Sequence, residues 1–126
     1  MKKTLIVAAL AIMASYVLLA AEKPAKTATV TGFVIDSACA YTKNLDKPIS
    51  TNCATACAKK GSPLVILTEE GTIYLPIDHA TPAMGQNEKL MPYAGKRVSV
   101  TGKVYEHSGA RAMVIEKIEA APAAAK

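Results

Sequence analysis

"KRVSVTGKVYEHSGARAMVIEKIE", residues 96–119, alternates as few other parts of the chain do. Val98, Val100 and Val104 fall on one face of an extended backbone, and Arg97, Ser99, Thr101 and Lys103 fall on the other. Successive side chains of a strand point to opposite faces, so this pattern predicts a strand with one face buried. His107-Ser108-Gly109 supplies a turn, and the returning strand runs from Arg111 to Ile118. The chain therefore closes on a long antiparallel hairpin.

Upstream, "PLVILTEEGTIYLPID", 63–78, predicts a second hairpin, turning over Thr68 to Gly71. In its second arm Ile73, Leu75 and Ile77 share one face, with Thr72, Tyr74 and Pro76 on the other. Tyr74 and Tyr105 are expected to face outward. Between the hairpins, a short helix is expected around 86–91, ended by Pro92. "TATVTGFVID", 27–36, is rich in β-branched residues and predicts the first strand, with Gly32 at a bulge or a close backbone approach. Residues 37–49 show no period and read as loop. "STNCATACAKKG", 50–61, predicts a helix: Ser50, Thr51 or Asn52 can cap its start, alanines fill it, Lys59 and Lys60 suit its last turn, and Gly61 suits the position beyond it. The order is strand, cysteine-bearing helical insert, two strands, short helix, two strands. That is the order of an all-β, five-stranded Greek-key barrel of the OB type with minor helix.

The N-terminus sets the compartment. Lys2 and Lys3 precede an uncharged, mostly apolar run from Thr4 to Ala21, and small residues at Ala20 and Ala21 offer a cleavage point. This is the pattern of a signal peptide over 1–21, and it predicts a periplasmic or secreted protein. The rival is an uncleaved anchor, since a span needs roughly 17–25 apolar residues; the membrane is a partner only in that case. Residues 22–28 read as a flexible leader, 29–119 as the domain, and 120–126 as an Ala/Pro tail.

The formal charge of +5 comes from 15 basic and 10 acidic residues. Residues 27–119 hold 10 basic and 9 acidic groups, so most of the excess lies in the tails. A nucleic-acid binder needs a basic face on the domain itself, and nucleic acid is not expected as a partner. The chain shows no Gly-rich phosphate loop, no nucleophile elbow and no HExxH, so no enzyme class is indicated. Asp78 and His79 are adjacent and point to opposite faces if the strand reaches them.

The cysteines carry the chemistry. Cys53 and Cys57 are four apart, and Cys39 lies fourteen residues before Cys53. On a helix, residues four apart have Cβ atoms about 5–6 Å apart, and a disulfide wants roughly 3.5–4.5 Å. A Cys53–Cys57 bond is thus disfavoured. Three states are open. Cys39 pairs with Cys53 or with Cys57 and one thiol is left over; or three thiolates converge on a soft metal, copper or zinc; or the left-over thiol exchanges with the disulfide. A fourth metal ligand is sought in His107, in the last turn, or in His79; Met84 and Met91 are further soft donors. Asp36 is expected to cap the turn after the first strand.

The stretches "TGFVIDSAC", "NCATACAKKGSPLVILTEEGTIYL" and "YAGKRVSVTGKV" resemble a family of small exported bacterial OB-fold-like domains of unassigned function. Its pattern runs G-x3-D-x2-C, then C-x3-C-x3-G, then a hairpin and a final V-x-V-x-G strand. Gly32, Asp36, Cys39, Cys53, Cys57, Gly61 and Gly102 match it over roughly 29–119. Many members place a His three residues before the first cysteine of the pair, where this chain has Ser50. The resemblance implies an OB-like fold and a shared role for the cysteines, and it implies no activity. The reading is an exported, non-enzymatic binding module of the cell envelope that takes a metal ion or an envelope protein partner. Its cysteines act as a disulfide staple or a soft-metal site, and a thiol-redox protein or a cofactor-free interaction domain is the alternative.

Overall fold

The structure, a computed structural model, describes residues 24–123. The signal segment and the last residues of the Ala/Pro tail lie outside the described residues. Five strands form a closed barrel: β1 (Lys26–Asp36), β2 (Leu64–Thr68), β3 (Ile73–Pro76), β4 (Arg97–His107) and β5 (Ala110–Ala120), in the order β1-β2-β3-β5-β4. All neighbouring pairs are antiparallel except β3 and β5, which pair in parallel and close the barrel. This is the expected mostly-β, OB-like architecture. Strand pairing reaches into the spans read as leader and tail, for Lys26 to Ala28 pair with β4 and Ala120 pairs with Val98.

The two hairpins turn as their residues require. Ser108 and Gly109 form a two-residue loop with φ of 49° and 85°, the double positive φ that suits the twist of a tight hairpin. Thr68 to Thr72 is closed by the Gly71 N–H on the Thr68 carbonyl. At Gly32 a Cβ would stand 2.5 Å from the Leu67 carbonyl oxygen, so the close approach predicted there is the backbone of β2.

Two apolar clusters, one inside the barrel and one outside, explain the burial pattern. The inner one joins Val34, Leu64, Ile66, Leu90, Ala94, Val98, Val100, Met113 and Ile115 with Ala54 and Ala58. The outer one joins Ile35, Ala40, Val65 and Leu67, with Phe33, Cys39, Ile49 and Ile73 against it. Every residue of β2 is buried, because the second face of β1 and β2 is covered too.

The cover is α1 (Ser37–Thr42), within the span read as loop. A helix of six residues is too short to show a period, and its caps form it instead. The Asp36 side chain accepts the Cys39 N–H at 3.1 Å. At the other end Asn44 turns into the left-handed region, φ 47°, and its Nδ2 donates to the carbonyls of Ala40 and Gly71. A single 3-10 turn, Asn44–Asp46, follows.

α2 (Thr51–Lys59) matches its prediction to within a residue. The Ser50 hydroxyl accepts the Cys53 N–H at 3.3 Å. Beyond the last turn, Gly61 at φ 96° lets Ser62 N–H reach the Cys57 carbonyl and Gly61 N–H the Ala58 carbonyl. α3 (Asn87–Leu90) ends with its cap at Met91, directly before Pro92, and the chain continues as a 3-10 turn, Met91–Tyr93. Pro92 stands in the first turn, where its missing N–H has no partner to lose.

In β3 the faces are the reverse of those expected. Pro76 is buried, Tyr74 packs against the inner core, and Leu75 is 43% exposed. Both sets of this strand are apolar, so alternation could not choose between them. The parallel register, Leu75 opposite Ala112 and Pro76 opposite Met113, makes the choice. Tyr105 does stand out, at 36% exposed.

Candidate functional site

The site is a corner where the end of β1 meets both insert helices. Along β1, Val34 faces the inner core and Ile35 the outer one, so Asp36 points back towards the barrel mouth. There α2 plugs the barrel with Ala54 and Ala58, which share its inner face. Cys53 and Cys57 each precede one of those alanines, which turns the two thiols to a flank of the helix. α1 brings Cys39 to the same place from the outside of the barrel.

Cys39 and Cys57 therefore lie beside one carboxylate, with Cys53 next to them. Asp36 is 2% exposed. Its Oδ2 accepts the Cys39 N–H and the Ser62 hydroxyl, at 3.1 and 3.5 Å. The Cys39 and Cys57 thiols lie close enough to Asp36 to feel its charge, and Cys57 lies close enough to Cys53 to feel its charge. Lys47 closes the corner. Its Nζ donates to Cys53 Sγ at 3.3 Å and to Cys39 Sγ at 3.9 Å. Pro48 holds Lys47 extended, at φ −113° and ψ 135°, and so fixes where its stem starts. All three cysteines are free thiols, each half-buried. Asp36, Cys39, Lys47 and Cys53 line one narrow crevice of about 20 Å³, room for a single water molecule.

The electrostatics are uneven. Burial pushes the Cys39 thiol up, and its hydrogen bond to Asp36 pushes it further. Burial also raises Cys57, followed by the charge of Asp36. Lys47 is raised in turn by its hydrogen bond to Cys53 and then by the Cys39 charge, and so holds its proton more firmly. Cys39 and Cys57 thus face an anion, and Lys47 meets the Cys53 sulfur closely and the Cys39 sulfur at longer range.

A pH dependence follows for the reduced protein. Cys39 and Cys57 hold their protons above the ordinary thiol value of 9.0, so their protonated forms stabilise the fold. That contribution is complete below about pH 9 and is lost as pH rises through the folded values. Denaturant midpoints of the reduced protein should fall as pH rises above 9.0, the ordinary thiol value from which both groups are raised. The fall should be smaller in the Cys39→Ser/Cys57→Ser double variant. An equal fall in both proteins removes the thiols as its source.

The predicted residues divide. Cys39, Cys53 and Cys57 come together. His107 does not join them: Phe33 pairs with Arg97, at the start of β4, and His107 ends that strand, roughly 30 Å further along it. The expectation rested on the last turn lying beside the insert, and the antiparallel register of β1 and β4 sets them at opposite ends of the barrel. His79 is exposed in the loop after β3, where the Asp78 carboxylate holds the Ala80 and Met84 N–H groups. Met84 is 74% exposed, and Met91 packs against the inner core. Among the described residues, no group of three or more His, Cys, Asp or Glu side chains is arranged to hold a metal ion.

Sequence reasoning found Asp36 as a cap and missed its contact with the thiols. It missed Lys47 altogether. The only available signal was its place between Cys39 and Cys53, directly before a proline. No protein-family model matches the chain, and no curated protein or solved structure matches it either.

Proposed function

We propose that the chain is an exported binding domain of the cell envelope whose cysteine insert is stapled by one disulfide, Cys39 to Cys53. The observation that carries this is the shared contact of both sulfurs with the Lys47 nitrogen, from two different helices. Cys53 and Cys57 sit on one helix, four residues apart, where the Cβ spacing is too wide for a bond. Export rests on the Lys2-Lys3 and apolar leader, and an oxidising compartment forms such bonds by default. Binding is supported by the same insert, which exposes Tyr41 and Leu45 beside the corner. An envelope protein is the expected partner.

The test is peptide mapping of the protein purified from periplasm without reductant, together with thiol titration and elemental analysis. One Cys39–Cys53 bond, one free thiol at Cys57 and no metal are expected. Stoichiometric copper or zinc with three free thiols replaces the staple by a soft-metal site. A Cys39–Cys57 bond moves the staple to the other partner.

A further inference from the structure

A staple requires neither a buried carboxylate nor a lysine. Asp36 could cap α1 equally well from an exposed position, yet it is 2% exposed, holds the Cys39 N–H at 3.1 Å and lines the same crevice as Cys39 and Cys53. Lys47 is an exposed side chain whose Nζ nevertheless meets two sulfurs. Asp36, Cys39, Lys47 and Cys53 open on one crevice, and none of the three thiols is fully buried. We propose that the corner carries out thiol–disulfide exchange with an organic disulfide, with Cys53 as the attacking sulfur, Cys39 as the resolving sulfur and Asp36 as the proton acceptor for Cys39. This rests on the Cys39–Cys53 pairing proposed above and adds an activity to it.

The steps balance as follows. Cys53 attacks a disulfide R–S–S–R. The Cys53–S–R bond forms, one R–S⁻ leaves with the electron pair of the broken bond, and the Cys53 proton ends on it. Lys47, in contact with the attacking sulfur, faces the negative charge that develops there. The Cys39 sulfur then attacks Cys53 while its proton passes to the Asp36 carboxylate. The Cys39–Cys53 bond forms, the second R–S⁻ leaves with its electron pair, and it collects the proton from Asp36. The dithiol loses two electrons and becomes a disulfide, and R–S–S–R becomes two R–SH.

The geometry explains why a base is needed at the second step and where it stands. Burial and Asp36 both keep Cys39 protonated, so it cannot attack as a standing thiolate. The carboxylate that causes part of this is also the group placed to take the proton. The charged and titratable groups near Asp36 are Cys39 from α1, Cys57 from α2 and Lys47 from the connecting loop, with Lys43 and Cys53 lining the same crevice.

The experiment uses reduced Cys57→Ser protein and the chromogenic disulfide dithiobis(nitrobenzoate). Release of thionitrobenzoate should come in two phases, attack by Cys53 and then resolution by Cys39. At neutral pH, Asp36→Asn in that background should slow the second phase at least about tenfold, as expected for loss of a positioned base. The first phase should stay within about twofold. Asparagine keeps the capping oxygen, so α1 retains its N-terminal acceptor. An unchanged second phase in a folded Asp36→Asn protein overturns the proposal. Should that variant not fold, mass spectrometry of wild-type protein quenched early decides instead: the first adduct on Cys53 supports it, and one on Cys39 or Cys57 overturns it. Failure of the staple is distinguishable, because peptide mapping then finds no Cys39–Cys53 bond at all.

Discussion

Oxidised Cys39→Ser protein should be less stable than the wild type by about 3 kcal/mol. That is the loop-closure value for a disulfide enclosing a loop of roughly 15 residues, the span from Cys39 to Cys53. In a domain of this size it corresponds to a fall in Tm of about 12–24 °C. The loop includes α1, whose one buried residue is Ala40, and the 3-10 turn, which carries none. Beyond Cys39, Ala40 and Ile49, which pack on the outer cluster, the segment is held by polar caps, so a covalent link across it has a large effect. Adding reductant should bring the wild type down to the level of the variant, and Cys57→Ser should leave the oxidised midpoint in place. Identical melting of oxidised wild type and Cys39→Ser would remove Cys39 from any staple.

The second large effect is expected at Gly95, where the barrel touches the cysteine helix. Gly95 has φ 72°, and its N–H donates to the Val34 carbonyl at 2.6 Å. A Cβ there would lie 2.3 Å from Thr51 Cα and 2.4 Å from Thr51 N. Both are backbone atoms in the first turn of α2, and no side-chain rotation relieves them. Gly95→Ala should therefore lose about 1–2 kcal/mol from the left-handed conformation and about 1–3 kcal/mol more from the overpacking. The displaced turn holds the Ser50 cap of Cys53, so disulfide closure in the reduced variant should also slow. Thermal melting and the rate of oxidation by air or a glutathione buffer measure the two effects. A variant that melts and closes like the wild type would mean that α2 does not need this contact.

The barrel was legible because its strands alternate and its turns are marked. Val98, Val100 and Val104 kept the face that their spacing predicts, and Ser108-Gly109 turned where two positive φ values are tolerated. α2 was legible for a local reason as well, a serine before it, alanines within it and a glycine after it. α1 was not, since six residues carry no period and its cap, Asp36, is also the last residue of a strand. The faces of β3 were not either, because Ile73, Tyr74, Leu75 and Pro76 are apolar on both sides.

The chain alone thus settled which segments are strands, that two cysteines share a helix flank, and that the N-terminus carries an export pattern. Those properties depend on neighbours a few residues away, through backbone periodicity, capping and turn chemistry. The composition of the corner was decided only by the fold. Asp36, Lys47 and the three thiols meet because β1 ends at the barrel mouth while α2 plugs it and α1 lies outside it. His107 went to the other end because the register of β1 against β4 sent it there. Contacts between groups far apart in sequence follow from strand order and register, and no local pattern encodes either.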